Sequence, residues 1–296
     1  MDTKRKAFLN RAKALGLPSS IEADYLSVYK PVVEWIQNTR CEDQPFIVGV
    51  NGAQGSGKST FCELLKHLLH ADGLSTVVLS VDDLYHTRKY RLEMGKSIHP
   101  LCAIRGVPGT HDVALGLQVL KALKYQGPLD IVTIPRFDKA MDDRKPDDLS
   151  ANVSNPVDVV LFEGWCVGEP PIPPYEGPYN DRESRDDSDG VWSRWSAHAL
   201  NTQYQTLNEM LDALVMLKVP SMEVVRQSRW LQEKKLQNTM SLDERRASPG
   251  LMSEAEVTDY VALFERHTEH MFATVIHTCD VLIERDAHFN YTLARI

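Results

Sequence analysis

The feature that most constrains this chain is the octet GAQGSGKS, which runs from Gly52 to Ser59 with the spacing G-x-x-x-x-G-K-[ST]. An apolar, β-branched run, FIVGV, precedes the octet. The segment KSTFCELLKHLL, with apolar residues at intervals of three and four, begins in its last two residues and continues beyond it. These flanks predict a strand, a loop and a helix, which is the context in which the octet forms a phosphate-binding loop. The alternative is an accidental glycine-rich turn between a strand and a helix.

The residues of this loop have distinct expected tasks. Its glycines let the backbone amides turn inward around an anion. Lys58 is expected to meet the β- and γ-phosphates of a nucleotide, and Ser59 to offer its hydroxyl to Mg²⁺. The helix that begins near Lys58 adds the positive end of its dipole. We therefore predict a site for ATP and Mg²⁺. The predicted nucleotide-binding residues are Gly52, Ala53, Gln54, Gly55, Ser56, Gly57, Lys58, Ser59 and Thr60.

The bulk composition limits the class of protein. The chain has 296 residues, 43% of them hydrophobic, which is enough to bury the core of one large domain or two small ones. A net charge of -8 gives no general electrostatic reason to bind nucleic acid, so an anionic nucleotide must be bound by local cations. The five cysteines form no C-x-x-C pair, which is typical of reduced thiols rather than of a structural zinc site.

The sequence contains no membrane or secretory signal. No apolar run approaches membrane-spanning length, and the basic start of the chain lacks the apolar centre of a secretory signal. That start could be a transit peptide, but we interpret it as a short surface helix. We therefore expect a cytoplasmic protein that binds a small molecule and neither nucleic acid nor a membrane. The sequence does not predict its oligomeric state.

Strand and helix signals alternate along the chain. Residues 1–43 read as helical, with an apolar face through Ile21, Tyr25, Val28, Val32 and Ile36. Apolar runs of strand length follow at 75–81, 129–135, 157–164, 211–217 and 279–285, and helical stretches at 112–125 and 222–237. This alternation predicts an α/β fold in which helices cover both faces of a parallel sheet of about five strands. We expect a single domain spanning residues 1–296.

One segment, residues 168–190, interrupts this alternation. Its sequence, GEPPIPPYEGPYNDRESRDDSDG, is too rich in proline, glycine and charge to form core. Two interpretations are open: a mobile surface loop, or a lid or partner-contact loop near the site.

Acidic residues follow two of the predicted strands, where ligands of α/β sheets gather. In LSVDDLYHT, Asp82 is the candidate general base for an attacking hydroxyl, while its neighbour Asp83 could instead cap a helix or turn. The run VDVVLFEGW ends on Glu163 in the manner of a Walker B segment. Glu163 is thus expected to hold Mg²⁺ or its water shell, the alternative being that it caps the next turn.

Two polar clusters lie between these acidic residues: IRGVPGTHD at 104–112 and IPRFDKAMDDRKP at 134–146. Their arginines are candidates to bind an anionic acceptor, because a guanidinium matches a carboxylate in bidentate fashion. His111 beside Asp112 suggests acid/base chemistry. Equally, Asp112 could cap the helix at 112–125 while His111 hydrogen-bonds locally. The predicted acceptor site consists of Asp83, Tyr85, Arg105, His111, Arg136, Asp138, Lys139 and Arg144.

These blocks resemble those of the P-loop small-molecule kinases of the D-glycerate 3-kinase type, relatives of phosphoribulokinase, uridine kinase and pantothenate kinase. The similar blocks, from the P-loop to the end of the chain, are GAQGSGKST, VDDLY, RGVPGTHD, PRFDKA with the following DDR, FEGW and MSEAEVTDYV. RGVPGTHD and FDKA are the most specific, because uridine and pantothenate kinases do not share them. The resemblance implies a P-loop NTPase fold.

The resemblance also implies roles for individual residues. Asp82 matches the family's base, and Glu163 matches its acid at the end of the Walker B strand. Arg229, in SRWLQEKKL, matches an arginine on the mobile lid helix that neutralises the transferring phosphoryl group. The chain departs from the family at Ser228, where members commonly carry tryptophan, and at CVGEPP, where they carry LGF after EGW.

The implied function is an ATP-dependent kinase of a small hydroxylated acid, with D-glycerate as the best guess and Lys58, Asp82 and Arg229 as catalytic residues. One alternative is a kinase of another small metabolite, such as a nucleoside or a pantothenate-like compound. Another is a non-enzymatic ATP-binding switch whose proline-rich loop contacts a partner protein. A switch has no need of Asp82 or of the arginine-rich clusters, so we favour the enzyme.

Overall fold

The computed structural model describes residues 3–125, 127, 130–139, 141–146, 149–154, 156–241 and 251–296. In chain order, the strands within these residues are β1 (Phe46–Asn51), β2 (Thr76–Ser80), β3 (Ile131–Ile134), β4 (Phe137–Asp138), β5 (Asp143–Arg144), β6 (Ala151–Ser154), β7 (Val159–Gly164), β8 (Ala213–Lys218), β9 (Val281–Arg285) and β10 (Tyr291–Arg295).

The described helices are α1 (Thr3–Ala14), α2 (Ile21–Asp24), α3 (Lys30–Thr39), α4 (Lys58–Ala71), α5 (Arg88–Ser97), α6 (Val113–Tyr125), α7 (Asp181–Asp186), α8 (Val191–Ala199), α9 (Gln205–Asn208), α10 (Met222–Thr239), α11 (Glu254–Ala262) and α12 (Glu265–Thr278). Single π-helical turns at Tyr25–Tyr29 and Leu200–Tyr204 and 3₁₀ turns at Val81–Leu84 and Pro100–Ala103 complete them. Within the described residues, no helix combines the length and the apolar character needed to cross a bilayer.

A six-stranded sheet in the order β10-β9-β8-β1-β7-β2 forms the centre of the fold. Strands β1, β2, β7, β8 and β9 pair in parallel, and β10 pairs antiparallel with β9. Helices lie on both faces, so β1 and β7 are buried along their whole length. The expected α/β fold with a parallel sheet of about five strands is confirmed, and an antiparallel edge strand is added to it.

The two faces of the sheet pack two separate cores, because successive residues of a strand point to opposite sides. Ile47 of β1 packs in the core that includes Leu120 of α6 and Met271 of α12. Its neighbour Val48 packs in the core that contains the apolar face of the N-terminal helices. That face consists of Ile21, Tyr25, Val28, Val32 and Ile36, each buried.

The register of the sheet brings the polar strand ends together. Glu163 of β7 lies opposite Val50 of β1 on one side and Ser80 of β2 on the other. Parallel strands end at the same edge, where ligands of α/β sheets bind. The loop after β1, the turn after β2 and Glu163 therefore lie next to one another at this edge.

The interpretation of residues 129–135 as a strand of the parallel sheet is wrong. Within the described part of this segment, β3 pairs antiparallel with β6 in a ribbon outside the central sheet. Ile131 and Thr133 are exposed while Val132 and Ile134 are buried, so a core covers only one face of β3. The alternation of burial along β3 is that of a one-sided ribbon, whereas central parallel strands are apolar on both faces.

The proline-rich segment 168–190 is irregular up to Asn180 and then forms α7. Glu183 of α7 is buried and accepts two hydrogen bonds from the guanidinium of Arg266 on α12 (3.0 and 2.5 Å). The backbone amide of Ile172 donates to the side chain of Asn201 (2.8 Å). These contacts anchor the segment to the fold, while its function stays a prediction.

Candidate active site

The phosphate-binding loop connects β1 to α4, which begins at Lys58. Gly57 caps α4 in the left-handed region, with φ 95° and ψ 10°, and Gly55 also has a positive φ of 71°. A side chain is strained in this conformation. At Gly55 it would also meet a neighbour, because an added Cβ would lie 2.7 Å from the Cβ of Ser228. These two glycines are therefore required by the shape of the loop.

The polar side chains of the loop face Glu163 in this structure. The Ser59 hydroxyl donates to Glu163 Oε1 at 2.8 Å, and the Lys58 ammonium donates to the carbonyl of Ala53 at 3.1 Å. Burial lowers the pKa of Lys58, although the nearby carboxylates Glu163 and Asp82 favour its charged form. The Walker A lysine, the serine hydroxyl and the acid of β7 thus share one site.

The oxygen ligands at this point fit Mg²⁺. A hydroxyl and a carboxylate within hydrogen-bond distance are hard donors, and Mg²⁺ typically takes one or two protein oxygens together with phosphate oxygens and water. Among the described residues, no group of three or more histidines, cysteines and acids is arranged as a metal site. The site therefore suits an ion that arrives with a nucleotide rather than one held in an all-protein cage.

Asp82 lies in the 3₁₀ turn directly after β2, and its backbone amide donates to the Ser80 hydroxyl (3.3 Å). Its carboxylate accepts a hydrogen bond from Lys139 at 2.6 Å. Burial raises the pKa of Asp82, but the charge and hydrogen bond of Lys139, together with the nearby Lys58, hold this pKa below its usual value. Asp82 is therefore a carboxylate at neutral pH and keeps its charge into the acidic range.

The adjacent Asp83 has different partners. Its two oxygens accept from Arg136 (2.6 Å) and from the backbone amide of Phe137 (3.0 Å). These bonds join the end of β2 to β4, some fifty residues further along the chain. Asp83 thus anchors the segment that carries Lys139, and none of its hydrogen bonds in the described residues caps its own turn.

The remaining predicted basic residues each contact the protein. Arg105 pairs with Asp142, and its guanidinium lies 5.6 Å from the centre of the Phe137 ring. Arg144 donates to the carbonyl of Tyr85 (3.0 Å) and to Asp112 (3.2 Å). In the same segment, Asp138 accepts from the backbone amide of Met141 (3.1 Å), as a turn residue does.

His111 is buried and lies against Tyr85, with ring centroids 4.3 Å apart. Its Nδ1 is 2.5 Å from the hydroxyl of Tyr204. Burial lowers the pKa of His111 to about 3, so the ring is neutral at physiological pH. Asp112 accepts from the backbone amide of Leu115 (3.0 Å) and caps α6, as in the local alternative.

Tyr85 belongs to the predicted binding site of the phosphate acceptor and is near Asp82. Burial raises the pKa of its hydroxyl well above the usual range, and the negative charge of Asp82 adds to this effect. The hydroxyl therefore stays protonated next to the candidate base.

Arg229 extends from α10, where it donates to the buried Glu233 one turn later (2.9 Å). Arg229 and Arg105 both act electrostatically on Tyr260 of α11, whose pKa is raised chiefly by burial. Asp82 and Lys139 also affect Tyr260. The arginine of α10 is thus near the acceptor side of the site.

Several residues at the site are absent from the predicted set. Tyr260 belongs to the quoted block MSEAEVTDYV, so a signal for it existed. Arg285 at the end of β9 donates to the carbonyl of Gly55 (3.1 Å), and the Tyr291 hydroxyl of β10 to that of Ser56 (3.4 Å). Both are separated from the loop by more than 220 residues, and no motif marks them.

A cavity of about 740 Å³ lies among residues of α5, α6 and α8. His111 of the predicted acceptor site lines it together with Asp112 and Trp195, whereas no described P-loop residue does. The cavity therefore adjoins the predicted acceptor site at His111 and does not reach the phosphate-binding loop.

The chain is similar to several known proteins. Residues 25–275 match the family described as the KAP family P-loop domain. Over 228 residues the chain is 34% identical to the uncharacterized kinase mug58 of Schizosaccharomyces pombe, covering 74% of this chain and 78% of that protein. Over 258 residues it is 28% identical to the chloroplastic D-glycerate 3-kinase of Arabidopsis thaliana, covering 80% of this chain and 52% of that protein. The chain thus spans about half the length of this second relative.

A solved structure has the same fold. The D-glycerate 3-kinase from Cryptococcus neoformans var. grubii superposes with a TM-score of 0.62 at 22% identity, covering 88% of this chain and 94% of that chain. Shorter similarities extend to a uridine-cytidine kinase of Danio rerio, 33% identical over 138 residues that cover 43% of this chain and 48% of that protein. The chain belongs to the family described as the KAP family P-loop domain and to the ATP-dependent P-loop small-molecule kinases, in the superfamily of D-glycerate 3-kinase, uridine kinase and pantothenate kinase.

Proposed function

We propose that this kinase transfers the γ-phosphate of ATP to a hydroxyl of a small organic acid, with D-glycerate as the best single candidate. The similarity to a protein named D-glycerate 3-kinase supports this acceptor. The use of Mg²⁺, a cytoplasmic location and the residue roles given below belong to the same proposal.

A shared ion pair carries the proposal of an acidic acceptor. Arg91 and Arg105 both form ion pairs with the carboxylate of Asp142, so two cations share one anion. In contrast, three nearby basic residues each pair with a different carboxylate: Lys139 with Asp82, Arg136 with Asp83 and Arg144 with Asp112.

Of the two arginines that pair with Asp142, only Arg105 is accessible to a bound molecule. Arg91 is fully buried, whereas the side chain of Arg105 is 26% exposed. Arg105 is also an electrostatic neighbour of Tyr85, Tyr260 and Lys139. An acceptor carboxylate at Arg105 would receive a bidentate, charge-assisted contact in addition to the carboxylate that Arg105 shares with Arg91. A neutral nucleoside has no carboxylate to make this contact.

The proposal assigns each catalytic residue a role that is compatible with its position. Asp82 takes the proton of the acceptor hydroxyl as its oxygen bonds to the γ-phosphorus and the bond to ADP breaks. Lys58 and Arg229 stabilise the charge on the phosphoryl oxygens. To do so, Arg229 gives up its hydrogen bond to Glu233 and contacts the phosphoryl group instead. Ser59 and Glu163 would hold Mg²⁺, which when bound neutralises charge on the phosphates.

The proposed function is tested by measuring ADP release by the purified protein with a panel of small hydroxy acids and nucleosides. We expect faster release with hydroxy acids, D-glycerate foremost. Faster release only with nucleosides or with pantothenate-like compounds would move the acceptor to another class. No acceleration with any acceptor would favour a nucleotide switch.

Arg105→Lys tests the acceptor clamp. Lysine keeps the charge but cannot supply two parallel donors. The loss of one charge-assisted hydrogen bond, worth about 1.5–3 kcal/mol, should lower kcat/KM for the acid by about 10 to 150-fold while KM for ATP stays nearly constant. Arg136→Lys is the matched control, because Arg136 is paired with Asp83. Equal effects of the two changes on the acceptor would contradict a specific role of Arg105.

A further inference from the structure

Arg285 connects the phosphate-binding loop to helix α10. It lies at the end of β9 and is 1% exposed. One terminal nitrogen of its guanidinium donates to the carbonyl of Gly55 (3.1 Å), and the other to the hydroxyl of Ser228 (2.9 Å). The guanidinium carbon lies 4.2 Å from the centre of the Phe289 ring.

The burial of this cation is unusual. Among the described residues, no carboxylate forms an ion pair with Arg285, although the other fully buried arginine, Arg91, pairs with Asp142. Burial lowers the pKa of Arg285, although the nearby Asp286 favours its charged form. A buried charge without an ion-pair partner destabilises a fold, so the two hydrogen bonds of the guanidinium are what compensates its burial.

The two hydrogen-bond acceptors of Arg285 belong to two parts of the site that must act together, the phosphate-binding loop and α10. Gly55 is in the loop that receives the phosphates, and Ser228 precedes Arg229 on α10. Loop and helix also touch directly, since a Cβ at Gly55 would lie 2.7 Å from that of Ser228. The close approach of the loop backbone favours a small side chain at Ser228. The hydroxyl of Ser228 accepts the hydrogen bond through which Arg285 links the helix to the loop.

We propose that Arg285 is a positioning residue that couples the nucleotide loop to α10 through Ser228, and so aligns Arg229 for phosphoryl transfer. The proposal rests on the proposed function. The planar guanidinium suits this task because its donors diverge in a fixed fork. A lysine ammonium cannot reach both acceptors in the same geometry.

The test is a double-mutant cycle on turnover. Ser228→Ala removes the hydrogen bond between Arg285 and α10. It leaves Lys58, Asp82 and the hydrogen bond of Arg285 to the Gly55 carbonyl in place. It should lower kcat about 10-fold and leave KM for ATP within about two-fold, as expected for the loss of one hydrogen bond to a charged group. Arg285→Lys should lower kcat by at least as much and also raise KM for ATP, because it disturbs the contact with Gly55.

The cycle with Arg229 separates positioning from stability. In an Arg229→Met background, Ser228→Ala should cause no further loss of kcat, since the residue through which it acts is gone. Ser221→Ala is the matched control, because Ser221 caps the same helix by accepting from the amide of Val224 and, among the described residues, has no hydrogen bond to Arg285 or Arg229. It should lower the melting temperature and leave kcat unchanged. Normal turnover in Ser228→Ala, or an equal loss in both backgrounds, would overturn the proposal.

A second measurement does not depend on the acceptor. Binding of a non-hydrolysable ATP analogue should slow amide hydrogen exchange in residues 222–239 of the wild-type protein, and Ser228→Ala should abolish this protection while the analogue still binds. Protection that persists in Ser228→Ala would overturn the coupling. If the wild type shows this protection but no acceptor accelerates ADP release, the coupling stands and the proposed function fails.

Discussion

Asp82 and Asp83 are adjacent in sequence, yet the structure gives them different surroundings. Asp82 accepts from the ammonium of Lys139, whereas Asp83 accepts from Arg136 and the amide of Phe137. Asp82→Asn keeps the shape of the site but removes the proton acceptor. Since general-base catalysis contributes about 100 to 10,000-fold, kcat should fall by that order with little change in ATP affinity.

Asp83→Asn is the control for this prediction. It weakens the anchor of β4, so it should lower stability and raise KM for the acceptor more than it lowers kcat. Both variants are compared by steady-state kinetics and thermal melting. If Asp83→Asn reduced kcat more than Asp82→Asn did, the assignment of the base would be wrong.

Lys139 sets the pH range in which Asp82 can act as a base. Burial raises the pKa of Asp82, and the charge and hydrogen bond of Lys139, with the nearby Lys58, together bring it below the usual value. The wild-type rate should therefore fall only below the ordinary pKa range of an aspartate. In Lys139→Met the lowering charge is gone while burial remains. The acid limb of kcat/KM should thus move to higher pH, and an unchanged pH profile would rule out Asp82 as the titrating base.

At the scale of elements, α7 and α12 are joined by a buried ion pair. Glu183 is 1% exposed, and Arg266 donates to both of its oxygens and to the carbonyl of Gly177 (2.7 Å). The guanidinium also lies over the Tyr175 and Tyr179 rings. His267 and His270 of α12 also contact Glu169 of this segment, and Asn180 donates to Glu265, so Arg266 provides one of several attachments of the segment 168–190 to α12.

Arg266→Met should destabilise the protein strongly, because it leaves a buried carboxylate without its partner. Such changes typically cost about 3–5 kcal/mol. Arg185→Met, which removes exposed ion pairs with Asp186 and Asp259, should have little effect on stability. Urea denaturation of the two variants measures the difference. Similar midpoints would show that the Glu183 contact contributes little to the attachment of the segment.

At the scale of the whole molecule, the N-terminal helices meet the C-terminal hairpin at Asp24. Burial raises the pKa of Asp24 to about 6, even though the backbone amide of Tyr291 donates to it. The unfolded value is about 3.9, so the folded state binds the extra proton between these pH values. This group therefore stabilises the fold below about pH 4, and its contribution is lost as the pH rises through about 6.

Asp24→Asn should raise the melting temperature at pH 7–8, because it removes a buried charge and keeps an oxygen for Tyr291. It should also flatten the fall in stability between about pH 4 and pH 6. Glu22→Gln is the control, since Glu22 in the same helix is exposed and pairs with Arg5. Equal melting temperatures for Asp24→Asn and the wild type at pH 8 would contradict this account.

The sequence by itself determined the parts of the site whose geometry is local. The turn from β1 into α4 needs glycines at fixed places, so Gly55, Gly57 and Lys58 could be placed from eight residues. Asp82 and Glu163 could be placed because each follows an apolar run of strand length, and parallel strands end at one edge of the sheet. The α/β fold followed from the alternation of strand and helix signals.

The tertiary structure alone decided which groups are neighbours across the chain. Lys139 pairs with Asp82 and Arg136 with Asp83 because β4 docks on the turn after β2, and no spacing in the sequence encodes that docking. The pattern of an apolar run also could not tell β3, covered on one face, from a central strand. The contact of Arg285 with Gly55 spans 230 residues. Contacts of this kind depend on how the elements pack, because hydrogen bonds and ion pairs are set by distance in space and not by separation along the chain.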